Sequence, residues 1–297
     1  MKKYKYRAFG LNIVSDFELP ELVYGNDGCD VEILHGKIEE ADGSFLENKI
    51  YKVNSEEIVY QLKDIAACKV QNGNKAIIMP SPNISKSTLR LLILTSVFGC
   101  IFIQRKMLPV HGSSVTLGDE CIIIAGSSGA GKSTLANAFI ENGHYFLADD
   151  VAVLNQGEND HIYVQPAYPY RKLHEDSVKC YNYDVEDLER IEYEEDKYLI
   201  PLHSHFLNSP KRLKALFEIV PADIENVRIE RVKGIEKLKV MMDNLYRGKL
   251  QFYFNSKVYY FKNIGEIASK IDIYKIMRPN DKFTYNEQLK LILKQLG

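Results

Sequence analysis

The residues with the most chemical content lie in one short run. Gly126-Ser127-Ser128-Gly129-Ala130-Gly131-Lys132-Ser133 fits G-x-x-x-x-G-K-[ST] without departure. The glycines let successive backbone amides turn inward and form a nest for an anion. Lys132 can reach the β- and γ-phosphates of a nucleotide as a point charge, and Ser133 can offer its hydroxyl to Mg2+. A helix that starts here adds the positive end of its dipole. With Thr134, at the start of that helix, Gly126 to Thr134 form the candidate nucleotide-binding stretch.

Asp149 and Asp150 follow Lys132 by seventeen and eighteen residues, at the end of a short apolar segment. A strand-end aspartate beside a phosphate loop helps to hold Mg2+. Two adjacent ones allow two roles: one can hold the metal, directly or through water, and the other can take the proton of an attacking hydroxyl. Their mutual repulsion raises the pKa of one unless Mg2+ or Lys132 offsets it. A turn-forming Asp-Asp pair is the plainer alternative. His111 sits upstream in Leu108-Pro109-Val110-His111-Gly112, where a lone histidine is more often a satisfied core residue. The other histidines form no H-x-x-x-H or H-E-x-x-H pattern. His203 and His205 could share a strand face, but they lack a third ligand and read as structural.

The elements that must position these groups follow from the flanks. Cys121-Ile122-Ile123-Ile124-Ala125 reads as a strand entering the loop. Ser133 to Asn142 reads as a helix leaving it, with Leu135, Ala138 and Phe139 on one face and Gly143 as its stop. Val110–Thr116, Tyr145–Ala148, Val151–Leu154, Ala215–Val220 and Val227–Glu230 read as further strands. Gly234–Leu245 and Asn286–Leu296 read as helices. This is an α/β pattern. The preceding residues are β-rich: Tyr4–Ile13, Val31–Leu34, Lys49–Val53, Ile58–Leu62 and Ala76–Met79 are separated by turn material. Pro80-Ser81-Pro82-Asn83 breaks that pattern. A helix then starts near Ser85 or Ser87 and carries the apolar run Leu91–Ile103. The expected division is a β-rich region at 1–84 and a catalytic-type region at 85–297, with its core at 105–155. The acidic stretch 175–197 reads as a solvated face.

Composition bounds the rest. The chain has 297 residues, 45% of them hydrophobic, with 38 basic and 40 acidic side chains. It has enough apolar surface to fold and no strongly basic field for nucleic acid. Five cysteines without CxxC spacing read as reduced, mostly buried thiols of a cytoplasmic protein. Lys2, Lys3, Tyr4, Lys5 and Tyr6 do not open a signal peptide. The thirteen uncharged residues Leu91–Ile103 fall short of the roughly 18–20 that span a bilayer, so no membrane partner is expected.

The order His111-Gly112, phosphate loop, Gly143-His144, Asp149-Asp150 resembles the catalytic domain of the HPr kinase/phosphorylase family. The 21 residues from His111 to Lys132 are also similar to that family's spacing. The resemblance implies a fold like that of phosphoenolpyruvate carboxykinase, with ATP and Mg2+ used to phosphorylate a serine hydroxyl. It implies Lys132 on phosphate, Ser133 and Asp149 at the metal, Asp150 as general base and His111 as an active-site partner. The Glu-Ile-Arg-Gly-type segment that true HPr kinases carry after the acidic pair is not found. Gln165-Pro166-Ala167-Tyr168-Pro169-Tyr170-Arg171-Lys172 stands in that region.

Elsewhere the chain resembles the divergent HPr kinase-like serine kinases of lasso-peptide and related peptide-modification systems. The similar segments are Tyr6-Arg7-Ala8-Phe9-Gly10-Leu11, Leu19-Pro20-Glu21-Leu22, Tyr168-Pro169-Tyr170-Arg171, Asn244-Leu245-Tyr246-Arg247 and Arg278-Pro279. This branch implies the C-terminal serine of a ribosomal precursor peptide as substrate, and a homo-oligomer is compatible with it. Arg171, Lys172 and Arg247 then become candidates for transition-state charge or for a peptide carboxylate. The competing functions are a regulatory HPr(Ser) kinase and a nucleotide-binding sensor without transfer activity. The aspartate pair argues against the sensor, which needs no base.

Overall fold

A computed structural model describes residues 2–39, 48–181, 183–191, 197–248 and 257–297. The chain divides into two compact units, one built chiefly from the residues before Pro109 and the other chiefly from Pro109 onward.

The first unit is an eight-stranded sheet of order β3-β1-β2-β4-β8-β7-β6-β5. Its strands are β1 (Tyr4–Ala8), β2 (Leu11–Ser15), β3 (Val23–Tyr24), β4 (Val31–His35), β5 (Lys49–Val53), β6 (Glu57–Leu62), β7 (Ala66–Gln71) and β8 (Lys75–Pro80). The expected single strand Tyr4–Ile13 is a hairpin. Phe9 and Gly10 both take positive φ, +56° and +76°, which a two-residue turn between twisted strands demands. Ser85 caps helix α1 (Lys86–Gln104) by accepting from the Thr88 amide. The helix is longer than its apolar run. With 19 residues and a mean hydropathy of 1.6 it is long and apolar enough to cross a membrane, yet 67% of that window is buried inside the protein. Phe98 and Phe102 pack on Phe9 of the hairpin turn at 5.2 and 4.9 Å between ring centres. The Gln104 side chain accepts from the Gly73 amide at 2.8 Å. These contacts keep α1 with the sheet, so the units divide at 108/109, whereas the expected boundary lay at 84/85.

The second unit holds β9 (Leu108–Leu117), β10 (Glu120–Gly126), helix α2 (Lys132–Glu141), β11 (Phe146–Ala148), β12 (Val151–Gln156) and β13 (Ile162–Gln165). After these come β14 (Tyr170–His174), α3 (Glu175–Cys180), β15 (Glu189–Arg190), β16 (Lys197–Pro201), β17 (Lys211–Ala222) and β18 (Arg228–Arg231). The chain ends with α4 (Ile235–Asp243), α5 (Lys257–Lys270), β19 (Asp272–Pro279) and α6 (Tyr285–Leu296). The main sheet runs β10-β9-β12-β13-β17-β19-β18, and β10 also pairs in parallel with β17, so the path returns on itself. Helix α2 buries Leu135, Ala138 and Phe139 against Ile122, Ile124 and Phe217 of the sheet and Leu289 and Ile292 of α6. Each of the leucine, isoleucine and phenylalanine side chains contributes about 1.5–3 kcal/mol by leaving water.

A three-stranded sheet, β14-β16-β15, was not foreseen. It lies around the acidic stretch, of which Glu192 to Asp196 lie outside the described residues. His203 and His205 sit in an exposed single turn, not on a strand. All five cysteines are free. Burial pushes the Cys68 and Cys121 thiols up to about 12, so both are protonated packing groups.

Candidate active site

The loop after β10 has the backbone that its glycines allow. Gly126, Gly129 and Gly131 take φ of +139°, +76° and +103°. A Cβ on Gly126 would lie 2.7 Å from the Ile219 carbonyl oxygen, so the strand end tolerates no side chain there. Lys132 folds back over the loop, and its Nζ donates to the carbonyls of Gly126 and Ser127, each at 2.9 Å. Burial pushes its pKa down, while Asp149 and Asp150 oppose that push.

Asp149 is buried at the end of β11 and organises three elements. Its Oδ1 accepts from Ser113 Oγ on β9 and from Ser133 Oγ on α2, the latter at 3.3 Å. Its Oδ2 accepts from the Lys172 amide on β14 at 2.9 Å. Asp150 takes φ of +66°, in the left-handed region. His111 Nδ1 lies 3.0 Å from the Asp150 carbonyl oxygen and 3.3 Å from its Oδ1. Both are acceptors, so Nδ1 carries the proton. Lys172 Nζ lies 3.6 Å from Asp150 Oδ2. Burial pushes the Asp150 carboxyl up, but His111, Lys172 and Lys197 together hold it well below the usual carboxylate range. The expected repulsion within the aspartate pair is therefore offset for Asp150 mainly by His111 and Lys172.

These groups line one cleft of about 680 Å3, with Ser128, Gly129, Gly131, Ser133 and Thr134 on its floor. Thr134 Oγ1 is 2.8 Å from Ser177 Oγ, which ties the start of α2 to α3. Of the residues expected to meet substrate, Lys172 lines the cleft and Arg171 does not. Arg171 is only 1% exposed. Its guanidinium donates to Asn137 Oδ1 at 2.9 Å and to the Ser133 carbonyl from beneath α2. It braces the start of α2, next to the glycine loop, from inside, and a surface contact with substrate is closed to it. Arg247 is exposed beside the His111 end of the site. Its guanidinium stands 5.5 Å from the Tyr246 ring, whose centre is 6.3 Å from that of His111.

Several site residues were missed in the sequence. Ser113 is two positions from His111, and its alternation on β9 signals the same face. Lys197 and Arg278 also line the cleft. Lys197 was hidden in an acidic stretch, and Arg278, named in the sequence only as half of the Arg278-Pro279 element, lies far along the chain.

Among the described residues no group of three or more His, Cys, Asp or Glu side chains could enclose a metal ion. The donor set does fit Mg2+ bound together with a nucleotide, because that ion keeps waters and phosphate oxygens and asks the protein for only one or two oxygen ligands. Ser133 Oγ and Asp149 Oδ1, 3.3 Å apart, are the oxygens that could serve as those ligands.

Residues 104–175 match the family model described as HPr Serine kinase C-terminal domain. An HPr kinase/phosphorylase of Prosthecochloris aestuarii is 38% identical over 74 residues, which are 25% of this chain and 21% of the relative. A putative HPr kinase/phosphorylase 2 of Oceanobacillus iheyensis is 40% identical over 58 residues, 18% of this chain and 19% of its own. The chain thus spans about a fifth of the length of the curated relatives it matches. The solved structure of the Hpr(Ser) kinase/phosphatase from Coxiella burnetii aligns over 63% of this chain and 89% of its own, with a TM-score of 0.33 and 15% identity. The segment that carries His111, the glycine loop, both aspartates and Lys172 is therefore similar in sequence to the HPr kinase/phosphorylase family.

Proposed function

We propose that the protein is a Mg2+-dependent ATP:serine kinase that phosphorylates a serine hydroxyl of a peptide. The observation that carries this reading is Asp149, which joins Ser133 of the loop to Lys172 and leaves Asp150 facing the cleft beside it. A bare nucleotide sensor has no use for a second carboxylate held ionised at the mouth of the loop. On this reading the α/β unit is of the phosphoenolpyruvate-carboxykinase-like kind, and the setting is cytoplasmic.

The loop amides and Lys132 bind the β- and γ-phosphates, once Lys132 exchanges its carbonyl partners for phosphate oxygens. Mg2+, held by Ser133 and Asp149, would neutralise charge on the transferring phosphoryl group. Asp150 accepts a hydrogen bond from the acceptor serine and takes its proton as transfer proceeds. His111 and Lys172 fix the orientation of Asp150. They also keep it unprotonated, which makes it a weak base but an always-available one. That suits a transfer whose transition state asks mainly for positioning and charge stabilisation.

The acceptor proposed is the C-terminal serine of a ribosomal precursor peptide, in line with the resemblance of the flanking segments to peptide-modifying kinases. A second reading, HPr itself as acceptor, draws on the names of the relatives that match the central segment. Incubation with MgATP and, separately, a serine-ended precursor peptide or HPr, read by mass spectrometry, distinguishes the two. A phosphate-sized mass gain on the peptide alone is the expected result. Gain on HPr alone selects the second reading, and gain on neither rejects both.

A further inference from the structure

We infer that Arg278, near the end of β19, contacts the polyphosphate of the nucleotide bound at Gly126–Ser133. This rests on the nucleotide reading of that loop and adds a group from the far end of the chain. Strand register brings it there. Gly126, the last residue of β10, pairs with Ile219 of β17, and Ile219 pairs with Ile276 of β19. Arg278 is two residues further along β19, opposite Pro221 of β17 and past the last paired residue of β10, and it lines the same cleft as Lys132.

Its bonding is that of a cation without a counter-charge. Nε donates to the Ala130 carbonyl of the loop at 2.9 Å, and Nη1 donates to the carbonyls of Pro279 and Asn280 at 2.6 and 3.4 Å. Among the described residues no carboxylate pairs with it, and Nη2 has no protein acceptor. Asp281 lines the cleft but forms no ion pair with Arg278. Partial burial alone pushes the Arg278 pKa down, with no neighbouring carboxylate to raise it. Neighbouring lysines of the cleft do answer to carboxylates: Lys132 to Asp149 and Asp150, Lys172 and Lys197 to Asp150, and Lys179 to Glu175. A guanidinium that has given up water without gaining an anion is stabilised when one arrives, and its planar fork matches two phosphate oxygens. The bond to Ala130 holds it against the loop backbone, so little side-chain freedom is left to lose on binding.

The test uses the full chain, with ATP and inorganic pyrophosphate as probes in the presence of Mg2+. Binding is followed by calorimetry, and the melting temperature of the nucleotide-free protein is recorded alongside. Arg278→Met is expected to weaken both ligands by about 10- to 100-fold, the range for one charged hydrogen bond. Arg278→Lys keeps the charge and can still donate to Ala130 but lacks the fork, so about a 3- to 10-fold loss is expected. The melting temperature of the Lys variant is expected to match wild type. Wild-type affinity in both variants overturns the inference. So does weakened binding that comes with a lower melting temperature in both, which makes Arg278 a structural brace. Failure of the wild type to bind either probe overturns the nucleotide reading itself, and this assignment with it.

Discussion

Replacing Asp149 by asparagine or alanine separates its structural task from its chemical one. In the wild type one carboxylate accepts three bonds, from Ser113 Oγ, Ser133 Oγ and the Lys172 amide. Asparagine can keep all three contacts by turning its oxygen to the Lys172 amide and its NH2 to the serine oxygens, which accept as well as donate. What it loses is the ionic reinforcement of those bonds, about 1 kcal/mol in sum. Alanine keeps nothing. It strands the Lys172 amide and leaves the Ser113 hydroxyl, 1% exposed, to find another acceptor. At about 1–3 kcal/mol for each buried donor left unmet, the expected cost is roughly 2–5 kcal/mol. Urea titration should resolve that difference, and melting should fall by about 2–4 °C per kcal/mol for a unit of this size. Neither variant offers a charged oxygen beside Ser133, so phosphoryl transfer should fall by about 10²- to 10³-fold in both. The Mg2+ concentration for half-maximal rate should rise in both. Activity that tracks stability instead, with asparagine nearly wild type and alanine poor, would refute the metal-side role and leave Asp149 a strut.

Lys132→Met should abolish measurable ATP binding in calorimetry and change the nucleotide-free protein's stability little, because relief of a desolvated lysine offsets the two carbonyl bonds it gives up. Arg171→Met should cost roughly 2–4 kcal/mol in denaturant titration, since Ser133 O and Asn137 Oδ1 lose a buried donor, and should weaken ATP binding through the loop. The pH response of Asp150 follows from the sign of its shift. Its folded pKa lies below the unfolded value of about 3.9, so its stabilising contribution is complete above that pH and disappears as pH falls through the folded value. Asp150→Asn should therefore flatten the acid side of the stability–pH curve in thermal scans, and wild-type activity should show no limb from Asp150 between about pH 5 and 8.

The turns of the glycine loop were legible because the motif puts glycine where the backbone needs positive φ, at Gly126, Gly129 and Gly131. The aspartate pair was legible because a short strand after α2 leaves few places for a strand-end carboxylate. The helix at Lys86–Gln104 was legible in type but not in allegiance. Pro80 to Asn83 reads as a boundary, whereas Phe98 and Phe102 reach back to Phe9, a contact across nearly the whole unit. The hairpin at Phe9-Gly10 was missed because one glycine among strand-forming residues is a weak signal. Arg171 reads in the sequence as a candidate for substrate charge because arginine is rarely buried, whereas the structure places Asn137 and the Ser133 carbonyl around it. Arg278 and Lys197 enter the cleft by strand pairing over long separations, which no local pattern encodes.

In the proposed reaction Asp149, Asp150 and the glycine loop together direct phosphate from ATP to a serine hydroxyl. The most direct test is intact-mass and fragment-ion spectrometry of a serine-ended peptide after incubation with the full chain, Mg2+ and ATP bearing heavy oxygen in its γ-phosphoryl group. Isotopically shifted phosphate localised to the serine by the wild type, and reduced by about 10²- to 10⁴-fold with Asp150→Asn at unchanged ATP affinity, is the result predicted. Phosphate transfer equal in wild type and Asp150→Asn contradicts it, as does ATP binding with no labelled phosphate on a serine-ended peptide or on HPr.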